Sequence, residues 1–238
     1  MKTELVELMN RLEVMLNKKI ADTSLFHIAL THRSYANEKN ISQLESNERL
    51  EFLGDAVLGL LIGEFLMKKF PQSQEGELSK IRSLVVNEKS LANLAREIDL
   101  GKFLYLGKGE ASTGGDEKDS ILADAYEAII AAIYLTVGLE DTRTYVIASF
   151  SNLIEESYQE STDYKTLLQE MSQKKFKHSP RYFLIGTTGP DHEKTFETEV
   201  RLLDQVYGKG IGKNKKESEQ NAAKEALTLL QSNVETSM

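Results

Sequence analysis

NERLEFLGDAVL, residues 47–58, is the stretch whose spacing decides the first part of the chain. Glu48, Glu51 and Asp55 stand at i, i+3 and i+7, so on a helix advancing about 100° per residue they project within roughly 60° of one another. Leu50, Phe52, Leu53, Val57 and Leu58 surround them and leave little purely solvated face. The periodic segment covers 46–70, with Ser46 placed to cap it and Pro71 after its end, which predicts a helix of about 24 residues, ~36 Å long. A second periodic segment runs from Ser120 to Val137, stops at Gly138 and contains DAYEAIIAAIYL, 124–135. Asp124 and Glu127 sit there at i and i+3, followed by Ile129, Ile130 and Ile133. Two acidic stripes therefore lie on two helices apolar enough to form a core.

An isolated acidic trio is ordinarily a solvated helix face. These stripes fit that description badly, because carboxylates drawn into a core repel one another and cost several kcal/mol each unless compensated. A divalent cation supplies the compensation. Oxygen donors without His or Cys favour a hard ion, Mg²⁺ or Mn²⁺, whose usual enzymatic work is on phosphate esters. A di-iron bundle is also built from inward carboxylates, but it needs Glu-x-x-His pairs, and His27 and His32 lie outside both stripes. His32 reads as a neutral structural residue in a helix-end turn rather than as a general base.

Outward from these helices, residues 1 to about 160 read as helix almost throughout, and the glycine-bearing stretch Gly107–Gly115 reads as a loop. After Ser157 the pattern changes. A helical segment, DYKTLLQEMSQ, is followed by alternating runs at Arg181–Gly186, Thr195–Arg201 and Gln205–Gly212, and then by helical periodicity over Lys215–Leu230. The expected architecture is an all-α domain over 1–158 and a small α+β domain of order α-β-β-β-α over 162–232. The net charge of −8 is concentrated in the first of these: the chain up to Ser161 carries 17 Lys and Arg against 26 Asp and Glu.

With no Cys in the 238 residues, a disulfide framework and every thiolate zinc site are excluded. The N-terminal MKTELVELMN resembles neither a signal nor a transit peptide, so a cytoplasmic location is expected. The longest apolar run, Ala128–Val137, falls short of the ~18 to 20 residues that span a bilayer, and no membrane role is expected.

NERLEFLGDAVL resembles the signature segment of the ribonuclease III family. Its neighbours agree in order: LTHRSYANE (30–38), GELSKIRSLVVNEKSLANLAREIDLG (76–101), LGKGE (106–110), and GG followed by DSILADAYEAIIAAIYL (114–135). The second domain resembles a double-stranded-RNA-binding domain. The resemblance implies an endoribonuclease that cuts duplex RNA as a homodimer with Mg²⁺, for which Mn²⁺ can substitute. Glu51, Asp124 and Glu127 match its metal ligands, Asp55 the group that positions or activates water, and Glu48 a supporting acid. Phe52 matches an aromatic that enters a pocket of the partner subunit, although its surroundings alone also suit a core residue. Two sites across one duplex imply staggered cuts, 5′-phosphate and 3′-hydroxyl ends and a short 3′ overhang. Relatives of bacterial type imply ribosomal precursors and structured messengers as substrates.

In the second domain, GPDHEKTF (189–196) and GKGIGKNKKESEQNAAKEAL (208–227) carry the pattern. Lys215 and Lys216 open a helix, where ammonium charge and helix dipole both favour phosphate. Gln169, Glu170 and His192 match the family's minor-groove contacts, which read duplex shape and 2′-hydroxyls, so DNA is expected to be a poor substrate. Ser218 stands where the family commonly has alanine. Two other readings are weighed against this one: an RNA-binding protein whose helical domain serves only for dimerisation or regulation, which the intact carboxylate set opposes, and a carboxylate bundle that stores or oxidises metal, which the missing His ligands oppose.

Overall fold

The apolar segment that stops at Gly138 becomes the central helix of the first unit. In the computed structural model, which describes residues 3–161, 163–190 and 194–235, the chain divides into Met1–Ser161 and Thr162–Met238. The first unit contains α1 (Thr3–Leu16), α2 (Ser24–Ala29), α3 (Arg33–Lys39), α4 (Glu48–Lys69), α5 (Glu75–Val85), α6 (Glu88–Glu97), α7 (Lys108–Ser112), α8 (Asp119–Val137) and α9 (Leu139–Ser161). Helix α8 is apolar on nearly every side and buries Ile121, Leu122, Ala123, Ala125, Tyr126 and every residue from 128 to 133. It packs against α4, α6, α9 and α2. Gly138 ends it at φ +87°, a conformation open to glycine and costly for residues with a Cβ. By length and hydropathy α8 could also suit a membrane, which the run Ala128–Val137 alone did not suggest; here most of it is enclosed by protein. A core helix surrounded on all sides has the same composition as a membrane span.

Helix α4 buries Leu50, Val57, Leu58, Leu61, Ile62 and Leu66 against this centre. It starts at Glu48, one residue later than a cap at Ser46 would have placed it. Ser46 does not cap it: a 3₁₀ turn over Gln43–Glu45 comes first, and the buried Ser46 hydroxyl donates to the Gln43 carbonyl at 2.7 Å. Asn47 takes the N-cap position without a side-chain cap bond, and its backbone N–H donates to the Thr31 carbonyl at 2.8 Å. The stretch 107–115 is less irregular than its glycines suggested, since α7 occupies its middle and Gly114, at φ +71°, leads into a 3₁₀ turn.

One glycine sets how closely α4 and α8 approach. A Cβ built on Gly54 would lie 1.9 Å from the Glu127 carbonyl oxygen and 3.0 Å from the Glu127 Cα. The two backbones touch between the acidic stripes. Gly54→Ala is expected to destabilise the first unit by about 3 kcal/mol, the upper range for overpacking a core, because backbone rather than a movable side chain stands in the way. Equilibrium denaturation measures it; a loss under about 0.5 kcal/mol would mean that the helices are not so close.

The second unit holds α10 (Tyr164–Phe176), β1 (Arg181–Thr188), β2 (Thr195–Leu202), β3 (Gln205–Gly212) and α11 (Lys215–Glu235). The strands form an antiparallel sheet of order β1-β2-β3, with Tyr182 opposite Val200 and Val200 opposite Gly208. Gly208, Gly210 and Gly212 alternate toward α11, and a Cβ on any of them would fall within 2.2–2.5 Å of helix backbone. A strand without side chains on that face lets the helix lie directly on it. Ser218 costs nothing at this contact, because its buried hydroxyl bonds the Thr198 hydroxyl at 2.7 Å and donates to the Lys215 carbonyl at 2.9 Å. Asp163 caps α10 by accepting from the Thr166 N–H at 3.1 Å.

Candidate active site

The contact at Gly54 gathers carboxylates from both helices. Glu51, Asp124 and Glu127 are half-buried, while Glu48 and Asp55 are exposed. Burial pushes the Glu127 carboxyl up to about 8, and the charges of Asp55, Glu51 and Asp124 add to the shift. Glu51 is raised first by burial and then by Asp124, Glu48 and Asp55. Asp124 is raised by burial and then by Glu88 and Glu48, with Arg33 opposing. The sequence-predicted acids therefore occupy one electrostatic neighbourhood. Glu88, the first residue of α6, joins it without having been anticipated.

All five anticipated groups are oxygen donors, and at Glu51, Asp124 and Glu127 burial and neighbouring carboxylates already penalise the charge. This donor set fits a hard divalent cation, which would relieve both costs. Among the described residues no three His, Asp or Glu side chains are already closed around one point. Glu51, Asp124 and Glu127 are the residues that would hold the ion, and the chemistry it supplies when bound is to acidify water and neutralise phosphoryl charge.

A cleft of about 440 Å³ opens beside Glu48, Glu51 and Asp124 and is completed by His32, Arg33, Glu110 and Lys118 among others. Sequence spacing missed this wall, whose residues come from 32–33 and from 110 and 118. The wall is tied together locally. His32 caps α3, with Nδ1 accepting from the Ser34 N–H at 3.3 Å and lying 2.8 Å from the Ser34 hydroxyl. The Gly107 N–H donates to that hydroxyl at 2.9 Å. Burial holds the His32 imidazole below its usual range, in keeping with a neutral cap. These segments entered the sequence reading only as parts of the family resemblance, LTHRSYANE (30–38) and LGKGE (106–110).

Phe52 is not a core residue: it is 80 % exposed. With Ala56, Leu60 and Met67, all exposed, it forms an apolar stripe along α4 that borders the acidic one.

In the second unit, Gln169 and Glu170 are exposed on α10, and Lys215 and Lys216 are exposed at the start of α11. Gln169 and Lys216 line one groove of about 270 Å³ with Asp163, Lys165, Tyr182 and Gln220. The structure thus brings these two onto a single face. His192 lies outside the described residues.

Comparison with known proteins follows this division. Residues 22–154 match the family described as Ribonuclease-III-like, and residues 164–230 match the double-stranded RNA binding motif. The chain is 47 % identical to Ribonuclease 3 of Clostridium tetani over 98 % of its own length and 97 % of that relative's. It is 50 % identical to Ribonuclease 3 of Caldanaerobacter subterraneus subsp. tengcongensis over 92 % of this chain and 96 % of that one. The solved nuclease domain of ribonuclease III from Campylobacter jejuni superposes with a TM-score of 0.54 at 45 % identity, covering 63 % of this chain and 97 % of that chain. A helical unit crossed by two acidic stripes, joined to an α-β-β-β-α unit with a cationic helix start, is thereby placed: the chain belongs to the ribonuclease III family.

Proposed function

We propose that the protein is a homodimeric endoribonuclease that hydrolyses phosphodiesters of double-stranded RNA with Mg²⁺, or Mn²⁺ in its place. The observation that carries this reading is the gathering of Glu51, Asp55, Asp124 and Glu127 at the Gly54 contact. Glu51, Asp124 and Glu127 hold the cation, and Asp55, more exposed, orients the attacking water from the solvent side. Glu48 supports the cluster from the same face of α4. The apolar border of Phe52, Ala56, Leu60 and Met67 supports a second copy as the neighbour of α4. The Campylobacter relative's structure is itself described by a region involved in dimer formation. Two such sites facing one duplex would leave 5′-phosphate and 3′-hydroxyl ends with a short 3′ overhang. Ribosomal precursors and structured messengers are the proposed substrates.

The test is incubation with a perfect RNA duplex, and with a DNA duplex of the same sequence, in Mg²⁺ or EDTA. Cleavage of RNA in Mg²⁺ alone is expected, and an intact RNA duplex would sink the reading. Duplex binding is assigned to Gln169, Glu170, Lys215 and Lys216 in the second unit. Replacing Lys215 and Lys216 by Ala is expected to weaken binding across duplex sequences and to lower the salt slope by up to roughly 2, since each phosphate contact contributes about 0.7 to 0.9. An unchanged slope in filter-binding titrations would remove the two lysines from the interface.

A further inference from the structure

The cleft beside Glu48, Glu51 and Asp124 also carries two cations, Arg33 and Lys118, that none of the roles above uses. We propose that Arg33 and Lys118 form an anion subsite that contacts non-bridging oxygens of the duplex backbone at the cut linkage or the one beside it, in the same cleft as the carboxylates. This inference rests on the reading of the cleft as a phosphodiesterase site.

Electrostatics makes the need plain. The chain up to Ser161 carries nine more acidic than basic residues, and the cleft gathers four of the acids. A polyanion entering it meets repulsion that a cation held by three carboxylates only partly cancels, so fixed positive charge at the point of entry favours binding. Arg33 is placed for this: its charge acts on both Glu51 and Asp124. Its position is set by the His32 cap and by the Ser34 to Gly107 bond immediately after it. Lys118 is the N-cap residue of α8, one turn and a half before Asp124.

Both cations have partners, but the partners do not account for them. The contact of Arg33 with Glu48 spans 3.7 Å, and its side chain is 66 % exposed. A solvated pair of that length adds little to stability and leaves most of the five guanidinium donors available. Lys118 bonds Glu110 and donates to the Thr113 hydroxyl at 3.1 Å, which leaves one ammonium N–H. Structural neutralisation of Glu48 and Glu110 is the competing account. It predicts no dependence on the substrate's phosphate oxygens.

The experiment uses the full-length protein and an end-labelled RNA duplex carrying a single stereodefined phosphorothioate at the cut linkage or at either neighbour. Arg33→Gln and Lys118→Gln are each expected to lower kcat/KM at least tenfold with melting temperature unchanged, and Arg33→Lys and Lys118→Arg to recover much of the loss. At one linkage, the sulfur that slows the wild type is expected to slow the Gln variant by twofold or less, because the contact it weakens is already gone. Gln variants within twofold of wild type, or sulfur and variant effects that multiply at every linkage, would overturn the subsite while leaving the nuclease reading intact. A wild type that leaves the duplex uncut would overturn both.

Discussion

Glu127→Gln is expected to slow cleavage of duplex RNA by at least ~10³-fold while the fold, the dimer and duplex binding persist. Gln keeps the shape of the side chain and removes the charge from the group placed deepest in the cluster. A cation held more weakly or displaced forfeits both water activation and charge neutralisation in the transition state, and each 1.36 kcal/mol lost is about tenfold in rate. Stability should move the other way. A carboxyl raised to about 8 is easier to ionise in the unfolded chain, near 4.5, than in the folded one. The folded state therefore loses stability as pH rises from about 4.5 and has lost it fully above about 8. Gln abolishes that loss. In EDTA at pH 8.5 the variant should be more stable than wild type by about 1 to 2 kcal/mol, once solvent screening of this half-buried group is allowed for, and close to it at pH 4.5. Single-turnover cleavage, gel shift and denaturation check the three parts; cleavage within a few-fold of wild type across Mg²⁺ concentrations would remove Glu127 from the site.

The second large effect is expected at Phe52. Leaving a phenylalanine 80 % exposed has little benefit for a lone chain, whereas burying it against a partner stabilises the pair by about 1.5–3 kcal/mol. A two-fold interface contains each residue twice, so Phe52→Asp removes two such contacts and adds two charges that must be desolvated. The dimer dissociation constant should rise by at least ~10³-fold, and opposed cutting of both strands should give way to slow or single-strand nicking. Sedimentation equilibrium and far-UV circular dichroism of the dissociated chain together decide it; some fall in melting temperature is expected, because losing the partner removes its mass-action stabilisation. A dimer of unchanged affinity would place the interface elsewhere, and a dissociated chain without helical signal would return Phe52 to a folding role.

The periodic parts of the chain were legible in advance because a helix repeats every 3.6 residues and a strand every two. The stop at Gly138, the three strands and the helix opening at Lys215 all follow from that local rule. So does the shared face of Glu48, Glu51 and Asp55. What holds the two acidic stripes together was not legible. Gly54 looks like any helical glycine until the α8 backbone is seen against it, and no spacing within one helix reports a crossing with another. The same limit hid the remaining wall of the cleft, next to which Ser34 and Gly107 meet across 73 positions. Ser46 misled for a local reason: its backbone is extended as a cap's should be, but its hydroxyl is taken by the carbonyl of Gln43 in the 3₁₀ turn before it. Phe52 was ambiguous between core and interface because its sequence neighbours are apolar on both accounts, and only its exposure separates them.

The most direct test of the central claim, that carboxylates of α4 and α8 act on both strands of an RNA duplex, is to map both cut positions and their end groups on one defined duplex. With Mg²⁺ the account predicts paired cuts offset across the helix, each leaving a 5′-phosphate and a 3′-hydroxyl, and none in EDTA. Cuts that persist in EDTA, or that leave 2′,3′-cyclic phosphates, would contradict it.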